Sequence, residues 1–89
     1  MTEYLDPWNH KQHARARALQ RYGVRLSVSD MRVLVRQIRD PKMKTFVRDV
    51  ANNCELHKVW HSGAPVYAVY NPYTHKIVTF HRKEWVQDD

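Results

Sequence analysis

The residues best suited to chemistry lie in the stretch His13-Ala-Arg-Ala-Arg17-Ala-Leu-Gln-Arg21-Tyr-Gly23. Residues four apart on a helix are neighbours on one face, so His13, Arg17 and Arg21 form a row. His10 falls within about 80° of that row on a helical wheel. An imidazole that titrates near neutrality can move protons. Guanidinium groups can hold a phosphate and stabilise the charge that develops on a pentavalent phosphorus. Cleavage of RNA by its own 2′-OH needs these groups and no metal. The plainer alternative is a solvated basic helix face that carries a chance histidine.

A second candidate lies near the C-terminus. Ile77, Thr79 and His81 alternate in a stretch that reads as a strand, which puts Thr79 and His81 on one face. The alternative is an ordinary strand threonine beside a surface histidine. Metal spacing is weak. His10-x-x-His13 and His57-x-x-x-His61 lack accompanying carboxylates, and the chain has one cysteine, Cys54. No cofactor or metal is therefore expected. Trp8, Trp60, Trp85, Tyr70 and Tyr73 could stack on unpaired bases, or could serve as core and edge cover.

The charge supports a polyanionic partner. Among 89 residues there are 15 Lys/Arg against 9 Asp/Glu, a formal net charge of +6. No acid lies between Asp6 and Asp30, while Lys11, Arg15, Arg17, Arg21 and Arg25 do. Such an imbalance points to nucleic acid, with Lys11, Arg21, Arg25, Arg48 and Lys58 as candidate binding residues. The length fits one domain, residues 1–89, with a core over about 8–81. A lone cysteine excludes a disulfide framework. No apolar run approaches a membrane span, and the opening MTEYLDPW has no basic region followed by an apolar one. A reducing cytoplasm is the expected setting.

The elements that must position these residues divide the chain in two. Asp6-Pro7 reads as a helix start, residues 8–22 as the helix, and Gly23 as its left-handed stop. Ala14, Ala18, Leu19 and Tyr22 form its apolar stripe. Ser27-Val-Ser-Asp30 starts a second helix, in which Met31, Leu34, Val35 and Ile38 are spaced to face a core. Asp40-Pro41 ends it. The rest is rich in Val, Tyr, Phe, Trp and Thr. It reads as strands over Thr45–Val50, Cys54–His61, Pro65–Tyr70 and His75–His81, with turns at Ser62-Gly63 and Asn71–Thr74. Short connections imply an antiparallel meander. The expected fold is α+β, order ααββββ, with two helices packed on one face of a four-stranded sheet.

With these elements in place, the pattern His13-Ala-x-x-Arg17-x-x-x-Arg21-Tyr-Gly23, then Val69-Tyr70-Asn71 and Ile77-Val78-Thr79, resembles small toxin-like proteins. They belong to the barnase–EndoU–colicin–RelE superfamily of metal-independent ribonucleases. The stretch from Asp6 to Pro41 is similar to BrnT-type toxins. The chain departs from them at Tyr22, which replaces a histidine of the helix turn, and over Lys76–Arg82. The resemblance implies that polar groups from helix and sheet converge on the scissile phosphate. On that basis His13 would be the general acid or base and Arg17 would stabilise phosphate charge. Tyr70, Thr79 and His81 would position the 2′-OH or the leaving oxygen. The implied partners are RNA and, for a toxin, an antitoxin or host protein. The alternative on the same scaffold is a non-catalytic phage or mobile-element protein that binds nucleic acid or inhibits a host protein.

Overall fold

The structure, a computed structural model, describes residues 10–85, with side chains from residue 13 onward. The Asp6-Pro7 helix start, Trp8 and the Lys11 side chain lie outside that range. Helix α1 spans His10–Tyr22 and α2 spans Val28–Arg39. Strands follow at Phe46–Val50 (β1), Cys54–His61 (β2), Ala64–Asn71 (β3) and Lys76–His81 (β4), then a short 3-10 turn at Lys83–Trp85. The strands form one antiparallel sheet in the order β1-β2-β3-β4. This is the expected ααββββ arrangement. No helix among the described residues is long and apolar enough to cross a membrane.

Local chemistry explains the boundaries. Gly23 adopts φ 67° and its N–H donates to Leu19 O at 2.9 Å, which closes α1. Ser27 caps α2 in a reciprocal box. Its Oγ accepts from Asp30 N at 3.0 Å, and its own N–H donates to Asp30 Oδ2 at 2.9 Å. Those bonds hold the Asp30 carboxyl below the usual carboxylate range. Asp40, before Pro41, is extended and stops the helix. Ser62 and Gly63 both have positive φ (51° and 79°), which builds a two-residue hairpin between β2 and β3 whose twist matches the strands.

The helices cover one face of the sheet. Ala14, Ala18, Met31 and Leu34 pack there on Val59, Val66, Ala68, Tyr70, Ile77 and Phe80. Each large side chain buried there is worth roughly 1.5–3 kcal/mol. Leu19 is not part of this stripe. It is 40% exposed, because α1 rests on its alanines and the next turn of the wheel rotates Leu19 outward. The opposite face carries a second apolar cluster of Cys54, Leu56, Tyr67 and Val69, with Val47, Val50 and Val78 against it.

The register of β4 decides which groups share that second face. Tyr70 pairs with Ile77 but Val69 pairs with Thr79, so a bulge inserts an extra residue in β4. The bulge breaks the alternation of Ile77 with Thr79. Ile77 stays under the helices, while Thr79 and His81 join Val69 and Tyr67 on the other side.

Candidate nucleic-acid interface

The second face of the sheet carries Arg48, Lys58 and His81 of the residues singled out above. Lys58, Tyr67 and His81 are directly opposite one another across β2, β3 and β4. Arg48, Leu56, Val69 and Thr79 form the adjoining row. Cross-strand partners have Cβ atoms about 4.5–5.5 Å apart, so each row spans a width comparable to a nucleotide or two. Lys58 Nζ lies 5.5 Å from the ring centre of Trp60, which is 45% exposed.

Helix α1 joins this face at its C-terminal end. Arg21 Nη1 donates to Phe80 O at 2.6 Å. Tyr22 Oη donates to His81 O at 2.6 Å and accepts from Tyr67 N at 3.1 Å, so one hydroxyl ties helix, β3 and β4 together. Burial holds the Tyr22 hydroxyl above its ordinary pKa, which keeps it a donor. The turn after β4 then brings Trp85 over the same end. Its ring centre is 4.7 Å from Arg21 Cζ and 5.6 Å from Arg82 Cζ, and it meets the His81 ring at 5.7 Å and 74°.

The electrostatics of this corner are unbalanced. Burial first, then Arg21 and Arg48, hold His81 below its ordinary pKa, which favours the neutral imidazole. Burial, Arg17 and Arg82 disfavour the charge of Arg21. The Nε of Arg21 and the Nδ1 of His81 are buried without a hydrogen-bond partner among the described residues. Buried polar groups are normally paired, and an anion that accepted from Arg21 would satisfy one of these atoms and offset the like charges.

The structure therefore brings together Arg21, Arg48, Lys58, Thr79 and His81. It does not bring Tyr70 to them. Tyr70 is buried on the helix-covered face, where its hydroxyl bonds His75 Nδ1 at 3.0 Å and its ring meets His57. Its role as a positioning group beside Thr79 is corrected by the β4 bulge. Arg17 sits one turn before Arg21 and bonds Gln20 Oε1 at 2.7 Å, and His13 is half-buried a further turn back. Arg25 lies in a different recess, with Arg15, Leu19 and Leu26.

Two features escaped the sequence reading. Arg82 joins the cluster through Trp85, and no spacing rule announces a contact made through a 3-10 turn. His57 is buried with both ring nitrogens engaged, by Thr45 Oγ1 at 2.7 Å and Glu55 Oε1 at 2.9 Å. That network occupies the histidine considered above as half of a metal pair. Among the described residues no group of three or more His, Cys, Asp and Glu converges.

Comparisons of the chain with protein-family models, with curated proteins and with solved structures return no match.

Proposed function

We propose that this protein binds single-stranded RNA on the open face of its sheet and cleaves it without a metal, in the manner of the toxin-like ribonucleases it resembles. The observation that carries the reading is the corner where His81 and Arg21 each present a buried, unpartnered nitrogen among Arg48, Arg82 and Trp85. A phosphate there would accept from Arg21 and neutralise the repulsion among the arginines. Exposed Trp60 and Trp85 supply surfaces on which unpaired bases can stack.

In this proposal His81 replaces His13 as the leading general base, because its neutral imidazole stands among the phosphate-binding arginines. It takes the proton of the 2′-OH as that oxygen attacks phosphorus. The P–O5′ bond breaks, the departing oxygen takes a proton from water, and the products are a 2′,3′-cyclic phosphate and a 5′-hydroxyl. Arg21 and Arg48 stabilise the charge on the phosphorane. Such a protein would act in the cytoplasm, where its RNA is. The deciding experiment incubates pure protein with mixed RNA in EDTA, beside His81→Ala and His13→Ala. Loss of about 10²–10⁴-fold in rate is expected for His81→Ala, with RNA still bound. Wild-type protein that binds RNA and leaves it intact between pH 5 and 8 would establish the binding-only alternative. Cleavage lost only in His13→Ala would return the base to α1.

A further inference from the structure

On the helix-covered side, a groove of about 250 Å³ runs between α2 and the β3–β4 turn. Its floor is apolar, made by Met31 and Val35 of α2 with Ile77 of β4. Its rim is basic, with Arg32 on α2 and Lys76 at the start of β4, and His75 of the turn lies beside them. No carboxylate among the described residues lines it, and the nearby Asp30 carboxylate is turned back into the Ser27 capping box. His75 is oriented by Tyr70, whose hydroxyl lies 3.0 Å from His75 Nδ1.

We propose that this groove docks an acidic peptide segment of a partner protein, with one large apolar side chain seated between α2 and β4 and flanking carboxylates paired to Arg32, Lys76 and His75. Size and charge select this occupant. The volume falls below the roughly 300–1,000 Å³ of small-molecule sites, but it suits the anchor of a peptide. A second copy of the chain would set the same cations against each other on a molecule of net charge +6. The groove and the RNA face lie on opposite sides of the sheet, so this inference stands independently of the RNA reading and both ligands can be held at once.

The test uses a fluorescein-labelled, end-blocked peptide of sequence Glu-Glu-Leu-Phe-Glu-Glu, with binding read by anisotropy. Two control peptides replace the acids by lysines or the Leu-Phe pair by alanines. The acidic, anchored peptide should bind at least tenfold tighter than either control, a difference of about 1.4 kcal/mol. Arg32→Glu and Lys76→Glu should each weaken it severalfold and together at least tenfold. Both residues are exposed, so the thermal midpoint should stay at the wild-type value, and RNA affinity should be retained. Equal binding of the alanine peptide would reduce the groove to a charged surface and overturn the proposal. So would unchanged peptide affinity in the double variant, or parallel loss of RNA affinity, which would make the groove part of the RNA surface. A sedimenting dimer that a glutamate at Val28, an exposed apolar residue of the same groove, converts to monomer (Val28→Glu) would name a second copy as the occupant instead.

Discussion

Removing the hydroxyl of Tyr22 should destabilise the protein far more than one oxygen atom suggests. In Tyr22→Phe the Tyr67 N–H and the His81 carbonyl both lose their partner at once. Tyr67 is only 3% exposed, so water cannot replace the bond to its amide, whereas His81 is half-buried and partly rescued. An orphaned buried group costs about 1–3 kcal/mol, which gives roughly 2–4 kcal/mol for the pair. A domain of this length holds on the order of 4–13 kcal/mol in total. At about 4–8 °C per kcal/mol, the thermal midpoint should drop by roughly 8–32 °C. Circular dichroism melts would read this directly. Tyr73→Phe is the control, since that ring is 79% exposed and the change should fall within about 0.5 kcal/mol. A drop below about 3 °C in Tyr22→Phe would refute the idea that this hydroxyl fastens α1 to the β3–β4 pair.

Further outcomes follow from the same contacts. Leu34 is fully buried between α2 and the sheet, so Leu34→Ala should cost about 2–5 kcal/mol in urea unfolding. His81 binds protons less readily folded than unfolded, so stability should fall as pH drops through the ordinary histidine value of about 6.5. His81→Gln should flatten that part of the pH–stability curve. RNA affinity should move the opposite way. A phosphate beside His81 favours the imidazolium, so anisotropy should report tighter binding at pH 5.5 than at pH 7.5, and no such trend in His81→Gln. Arg48→Glu should weaken RNA binding and flatten the dependence of log affinity on log salt, because each lost phosphate contact lowers the slope by about 0.7 for a single strand.

Much of the fold was legible because its signals are local. Gly23, the Ser27 capping box, Asp40-Pro41 and Ser62-Gly63 each act within a few residues, and each marks a boundary where it was expected. The Cys54–His61 strand was readable to the residue from its β-branched and aromatic content. The site was only partly legible. Alternation sorts β2 into two sets but does not say which set the helices cover. A one-residue bulge in β4 then separates Ile77 from Thr79 and strands Tyr70 on the far side of the sheet. Arg21 shows the same limit. It reads as one more surface arginine of a helical row, yet it is half-buried and bonded to Phe80 O. Charge reversal at Arg21 therefore tests folding and RNA binding together, and Arg48 and Lys58 are the cleaner probes.

The central claim is that RNA lies on the sheet face opposite the helices. Amide chemical-shift mapping of the isotope-labelled protein, titrated with a short single-stranded RNA, tests it most directly. The largest shifts should fall at Arg48, Lys58, Tyr67, Thr79–Arg82 and the indole N–H of Trp85, with α2 unmoved. Shifts centred on α2 and Thr74–Ile77, or no shifts at low salt, would contradict it.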